Sequence, residues 1–510
     1  MTRNLPNALR SAPALQGALE PDHEVVIVGA GFGGMGIAIQ LGRMGIRDVL
    51  ILERSDDLGG TWHLNHYPGL QVDISSLAYS YSFEPNPYWS KLFATGAELK
   101  AYTQHVATKY DLRRLMRFNA SVEQVAYDEH NALWTVHIEG QASVTARVLV
   151  LATGYLSRPK KPDIAGIDDF AGKVIHTAAY DHSYDMRGKR VSVIGTGATA
   201  VQLLPEIAPL VSQLHVYQRT AIWVTPRRNP PIPPHVQELF ARFPITQRAA
   251  RLAFTTRLEV MALAGLLYNQ DLPFLTESVE NLCRSYLERS IPDPELRRKL
   301  TPNYPFGCKR PTFSNRYYPV FNRANVELVT DPIDHIERDG IVTRDGQKRS
   351  IDALVLATGF RVWERDTFHS IMGKRGVELR DAWERSRYES YEGLSVPGFP
   401  NLFYLPGPYS YTGLSYFFTI ESQMKHVGRV LGAMRKRKAR SFEVTEDAKE
   451  RFMRGVQKDF GHSVFVEGHC ANANSYYFDR HGAPSLIRPT STLRAFLRQA
   501  TFPLSDYRFD

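Results

Sequence analysis

The chain has 510 residues, 43% hydrophobic and 11% aromatic, with a formal net charge of +9. That length buries a core spread over two or three domains, and the composition excludes a disordered or low-complexity protein. The positive charge suits a phosphate-bearing ligand but is too dispersed for a nucleic-acid surface; its one tight run, Arg435-Lys436-Arg437-Lys438, reads as a solvated helix end.

Residues 1–22 read as an N-terminal arm, with no secretory signal between Met1 and His23. Residues 23–158 open a first dinucleotide-binding domain. Val25 to Val28 is a buried parallel strand, followed by Gly29-Ala30-Gly31-Phe32-Gly33-Gly34, a helix from Met35, a second strand Val49 to Leu52, and Glu53 at its end. In this G-x-G-x-x-G unit Gly29 makes the tight turn, Gly31 admits a pyrophosphate and Gly34 lets helix and strand pack closely. The helix N-terminus faces the phosphates and Glu53 takes a ribose hydroxyl pair. Downstream come Gly59-Gly60-Thr61-Trp62, Tyr67-Pro68-Gly69 and Asp73, a helix from Glu98 to Tyr110, paired strands between Ser121 and Ile138, and a buried strand Val148 to Leu151.

Residues 159–225 begin a second such domain. The strand Arg190 to Ile194 leads into Gly195-Thr196-Gly197-Ala198-Thr199-Ala200, a helix, and the strand Leu214 to Tyr217. Arg219 and Thr220 follow it where an acid would select NAD; a guanidinium there suits the 2′-phosphate of NADP instead. Residues 226–305 are helical in period and read either as a packing insertion or as a lid. Residues 306–350 return to the second domain, and 351–510 return to the first and end in an irregular tail. No apolar run approaches the roughly 20 residues of a membrane span. The fold class is therefore α/β, two Rossmann-like domains with a helical insertion.

Two nucleotide sites imply FAD in the first and NADPH in the second, with hydride passing to the flavin. The three cysteines, Cys283, Cys308 and Cys470, lie far apart with no CxxC or metal spacing. This predicts a reducing, cytoplasmic setting, no disulfide framework and no metal site. It also removes the cysteine pair a disulfide reductase needs, which leaves dioxygen as the acceptor.

Gly59-Gly60-Thr61-Trp62, four residues, Tyr67-Pro68-Gly69, three residues and Asp73 reproduce the long fingerprint of type I Baeyer–Villiger monooxygenases, and the chain resembles that family from Glu24 to about Val427. The shorter fingerprint is matched from Phe170 through Gly172 and His176, except that Tyr180 stands where its final Trp belongs. Tyr is usual there in the flavin-containing monooxygenases that oxidise nitrogen and sulfur, so that activity is the alternative; a non-enzymatic flavoprotein is a third. The resemblance implies oxygen insertion beside a ketone carbonyl through a C4a-peroxyflavin, giving an ester or lactone. It implies Arg310 and Asp73 as catalytic residues, and Thr61, Trp62, Asp73, Tyr79 and Val122 as FAD contacts beside Gly29, Gly31, Gly34 and Glu53. Lys309 joins Arg219 and Thr220 on the NADP phosphate, and Gly407-Pro408 lies near the flavin ring. Arginine suits an anionic oxygen because it stays charged and offers a planar fork of donors. His176 reads as a structural link. The ketone and the oligomeric state are left open.

Overall fold

A computed structural model describes residues 19–363, 370–466 and 468–510; the first 18 residues of the expected arm lie outside them. The chain begins with β1 (His23–Val28), α1 (Phe32–Arg43), β2 (Val49–Leu52), α2 (Thr61–Leu64), α3 (Gly96–Lys109), β3 (Met116–Arg117), β4 (Val122–Asp128), β5 (Leu133–Ile138) and β6 (Val144–Leu151). The first sheet is ordered β2-β1-β6 in parallel, Val26 opposite both Leu50 and Leu149, and continues from β6 through the antiparallel pairs β6-β5 and β5-β4. Alternate residues fill opposite faces. Val25, Ile27, Val49 and Ile51 enter one cluster, while Val26, Val28, Leu50 and Leu52 enter another. Both faces are covered, so these strands are apolar throughout instead of alternating.

The second domain contributes β7 (Lys173–His176), β8 (Arg190–Ile194), α4 (Ala198–Ile207) and β9 (Gln213–Tyr217). Next come β10 (Val224–Thr225), the insertion helices α5 (Pro234–Arg242), α6 (Pro244–Ala262), α7 (Pro273–Ser290) and α8 (Pro294–Leu300), and then β11 (Thr312–Phe313) and α9 (Tyr317–Val320), whose Tyr317, Tyr318 and Val320 join the second-domain core. The return brings β12 (Val326–Val329), the small antiparallel sheet β13 (Ile333–Glu337), β14 (Gly340–Thr343) and β15 (Lys348–Ser350), and then β16 (Ala353–Leu356). The second sheet is parallel throughout, in the order β12-β9-β8-β16-β7. The boundary expected at 350/351 therefore falls one strand too early, since β16 pairs with β7 and β8. The crossing back follows Leu356.

The two crossings run side by side. The Lys160 amide donates to Gly359 O at 2.9 Å and the Arg361 amide to Arg158 O at 2.9 Å. His176 is anchored beneath them. Its Nδ1 accepts from the Ala178 amide at 3.1 Å and its Nε2 lies 3.5 Å from Thr358 Oγ1, which fits the structural role expected of it.

Past the second crossing lie β17 (Ser370–Met372), α10 (Leu379–Arg385), β18 (Leu402–Tyr404), α11 (Tyr416–Arg437), β19 (Phe442–Val444), α12 (Glu446–Phe460), α13 (Thr492–Thr501) and β20 (Tyr507–Phe509). The expected irregular tail is instead packed structure. β19 and β20 pair antiparallel, and α11 lies so close to α1 that a Cβ on Gly36 would stand 2.9 Å from Ile420. A second correction concerns the cysteines. Cys308 and Cys470 form a disulfide across a sequence separation of 162, because the fold brings their Cα atoms to 5.2 Å. Cys283 is free and buried.

Candidate active site

Both glycine motifs open helices in the same way. α1 starts at Gly31 and α4 at Gly197, with no side-chain cap and no acid in the first turn. α3 shows the usual alternative, a capping box between Thr95 and Glu98. Uncapped amides at the end of a buried parallel strand are donors suited to a phosphate. In the first motif a Cβ on Gly34 would stand 2.0 Å from Gly29 O, so only hydrogen fits there. Glu53 ends β2 as expected. Its carboxylate accepts from the Ala30 amide at 2.8 Å and the Ser55 amide at 2.9 Å, which fixes it beside the loop. Val122 is buried in the sheet core and pairs with Ile138.

The long fingerprint folds back over this loop. The Gly59 amide donates to Ala30 O at 3.0 Å, Thr61 and Trp62 begin α2, and Trp62 packs edge-on to Tyr79 with ring centres 5.6 Å apart. Tyr67 Oη then donates to Gln202 Oε1 at 3.0 Å, and Gln202 Nε2 donates to Gln71 O at 2.9 Å. A Cβ on Gly69, whose φ is +83°, would stand 2.5 Å from Gln202 O. Because Gln202 belongs to α4, this stretch joins the first nucleotide motif to the second.

At its end Asp73 meets Arg310, 237 residues away in sequence. Arg310 Nε donates to one carboxylate oxygen at 2.6 Å and Nη2 to the other at 2.7 Å. Arg310 Nη1 donates to Tyr411 Oη at 2.7 Å, and that hydroxyl donates to Leu414 O at 2.7 Å. About a quarter of each side chain in the ion pair stays open, 25% for Asp73 and 23% for Arg310. Burial raises the Asp73 carboxyl, but the Arg310 charge and its hydrogen bonds overcome this and hold it below its ordinary value. Burial likewise opposes the Arg310 charge, and Asp73 reverses that, leaving the guanidinium well above its usual range. Both groups are therefore ionised at any working pH.

Lys309, next in the chain, faces the second motif. Burial, and then the neighbouring Arg219 charge, lower its ammonium to about 8. Two adjacent cations with no carboxylate between them among the described residues form a donor set that fits a phosphate. Thr220 borders it, its hydroxyl accepting from Asn474 Nδ2 at 2.8 Å and its carbonyl from Thr196 Oγ1 at 3.0 Å. Gly195 to Ala200 form the turn and first residues of α4 as expected. Gly407-Pro408 is buried, its Pro408 carbonyl accepting from Ser390 Oγ.

A family model for pyridine nucleotide-disulphide oxidoreductases matches residues 26–262. A Baeyer–Villiger monooxygenase of Pseudomonas aeruginosa is 39% identical over 450 residues, covering 88% of this chain and 84% of its own. The chain belongs to the Baeyer–Villiger monooxygenases. Solved structures agree. OTEMO in complex with FAD and NADP is 29% identical with a TM-score of 0.84, covering 96% of this chain and 100% of its own. A cyclohexanone monooxygenase with bound ε-caprolactone is 26% identical with a TM-score of 0.82, covering 96% and 99%.

The enzyme is thus an FAD- and NADPH-dependent flavoprotein monooxygenase on two Rossmann-type sheets. Tyr180, the departure from the shorter fingerprint, is buried in the second domain with its hydroxyl on Met186 Sδ at 3.7 Å. Two residues at the centre went unassigned in the sequence. Tyr411 carries no motif, and nothing short of the fold could place its hydroxyl on Arg310. Arg227, in the proline-rich stretch, donates to Val72 O at 3.4 Å and lies over the Phe93 ring at 3.8 Å. Burial lowers its guanidinium to about 10, partly offset by the Asp73 charge. Among the described residues no helix is long and apolar enough to cross a membrane, and no group of three potential ligands could hold a metal.

Proposed function

We propose that this monooxygenase converts a ketone to an ester or lactone, with the Arg310–Asp73 pair at the reacting centre; the forked ion pair with Tyr411 on its third donor carries this reading. When bound, FAD reduced by NADPH supplies the O2-derived oxygen. A guanidinium has five N–H donors, and Asp73 and Tyr411 occupy three of them. The rest are left to meet the carbonyl oxygen of the ketone as it gains negative charge. Asp73 fixes the plane of the fork, so little reorganisation is needed when that charge develops. Trp62 and Tyr79 wall the first-domain side and exclude water. The uncapped start of α1 and Glu53 hold the FAD pyrophosphate and ribose. The deciding experiment supplies NADPH, labelled O2 and a panel of ketones, and looks for an ester carrying one labelled oxygen. Oxidation of amines or sulfides with no ester from any ketone would overturn the reading.

Arg219, Lys309 and Thr220 hold the NADP 2′-phosphate in this scheme. Arg219→Ala should raise KM for NADPH by about 10- to 100-fold, as loss of a charged hydrogen-bonding pair does, and leave KM for NADH nearly unchanged. Lys309 adds a pH dependence. Only its charged form attracts the phosphate, and that charge is lost as pH rises through about 8. KM for NADPH should therefore be flat below that pH and climb above it, and Lys309→Arg should flatten the climb. Steady-state kinetics from pH 7 to 9.5 check both.

Tyr411→Phe should leave flavin content intact and lower ester formation about 10-fold, one charged hydrogen bond's worth, because Arg310 then loses its third anchor. NADPH should still be consumed, with hydrogen peroxide replacing ester in the product balance.

A further inference from the structure

Arg227 and Arg310 start from opposite ends of one short ladder. β10 and β11 pair in parallel, Val224 with Thr312 and Thr225 with Phe313. Arg310 stands before β11 and Arg227 beyond β10. The Arg227 amide donates to Asn315 Oδ1 at 2.9 Å, which ties its backbone to the chain just past β11. The side chain then turns toward the first domain. Its Cζ lies 3.8 Å from the Phe93 ring centre and 5.6 Å from that of Phe313. Nη1 donates at 3.4 Å to the carbonyl of Val72, the residue before Asp73. Asp73 is therefore approached by two arginines, one through a forked ion pair and one along its own backbone.

A cation pressed between rings is unfavourable unless a negative charge answers it. Arg227 makes no direct ion pair among the described residues. Burial lowers its guanidinium to about 10, the Asp73 charge offsets part of this, and Arg227 remains charged at neutral pH. In return its charge helps to hold Asp73 ionised, after that of Arg310. The centre thus holds two positive charges and one negative. A carboxylate forked onto a guanidinium cancels most of that guanidinium's field. A site that meets an oxyanion in the transition state needs positive charge left over, and Arg227 supplies it. We propose that Arg227 is a positioning residue for oxygen insertion: from the far end of the β10–β11 ladder it balances Asp73, so that Arg310 keeps its charge for the ketone oxygen. This rests on the reading of the Arg310–Asp73 pair as the reacting centre.

The test uses full-length, FAD-loaded protein with NADPH, O2 and a ketone that the wild type converts. Arg227→Met keeps an apolar stem against Phe93 without the charge, and Arg227→Lys keeps the charge. Arg227→Met should lower kcat for ester about 10-fold and leave KM for the ketone within about 2-fold, because the charge is felt as the oxyanion develops. Arg227→Lys should recover most of the lost rate. With Asp73→Asn already in place, Arg227→Met should cost less than about 2-fold, since no carboxylate is left to balance. Thermal melts accompany each variant, and Arg227→Gln replaces Arg227→Met if the latter melts early. Wild-type kcat in the uncharged variant, a lysine no better than methionine, or the full loss persisting beside Asp73→Asn would each overturn the proposal while the ketone reading stands. No ester from the wild type with any ketone would instead remove that reading, and this inference with it.

Discussion

Replacing Arg310 by alanine is expected to lower ester formation by at least 1,000-fold while the bound flavin is still bleached by NADPH. The two halves of that result separate because the residue sits where the segments converge, not at either glycine motif. Under the proposed function, removing it takes away the fixed positive charge that meets the carbonyl oxygen, and losing one preorganised donor of this kind typically costs 100- to 1,000-fold. It also leaves the Asp73 carboxylate without its forked partner, and that charge would repel developing negative charge further. Arg310→Lys should recover little. A lysine has one nitrogen, so it cannot span both Asp73 oxygens and Tyr411 at once, as the three observed bonds of 2.6, 2.7 and 2.7 Å require. Asp73→Asn, which keeps the shape but removes the charge, should fall between wild type and Arg310→Ala. Single-turnover bleaching and product analysis on the same preparations provide the measurements. Full ester formation by Arg310→Ala would remove the pair from the reaction.

Gly34→Ala is expected to yield protein without FAD. The added methyl would need to occupy a point 2.0 Å from Gly29 O and 3.2 Å from Ile27 Cγ2, in backbone packed on both sides. α1 would be pushed off β1, and the uncapped amides at its start would no longer converge on one phosphate. A loss of more than 100-fold in flavin affinity follows from displacing several charged hydrogen bonds at once. Gly42→Ala, on the same helix with nothing within 4 Å of the new methyl, is the control. It should keep its flavin and gain about 0.5–1 kcal/mol, the ordinary advantage of alanine in a helix. Absorbance at 450 nm against protein concentration reads both, and melting of the apoprotein separates failure to bind from failure to fold.

How much of this was legible in the sequence follows from how far each feature reaches along the chain. The glycine motifs are local, and stereochemistry alone decides which residue can stand at Gly34, so β2 was placed to the residue and the starts of β1 and α1 two and three residues late. Arg219 could be named as a candidate because it follows a strand whose end is marked. The pairing of Asp73 with Arg310 is not local, and only likeness to a known family joined two residues 237 apart. Nothing supplied the same help for Cys308 and Cys470, nor for the hydroxyl of Tyr411. The misplaced boundary before β16 has its own cause. Ala353 to Leu356 is apolar on both faces, as any strand buried on two sides must be, and such a strand carries no sign of which parallel sheet it joins. Tyr67 to Gln71 belong with these, for a turn motif gives no hint that its partner is the helix of another domain.

The Cys308–Cys470 bond also acts as a tether. Cys308 lies two residues before Arg310, and the segment anchored by Cys470 carries Asn474, bonded to Thr220, and Tyr476, which feels the Arg310 charge. If that segment comes loose, Tyr476 can travel only the length of the few residues back to its anchor, roughly 20 Å at full extension. Its local concentration around the site then remains in the millimolar range or above, and re-docking becomes an intramolecular event that dilution cannot slow. Cutting the bond with a thiol reductant would turn that return into one governed by the much longer loop of intervening chain.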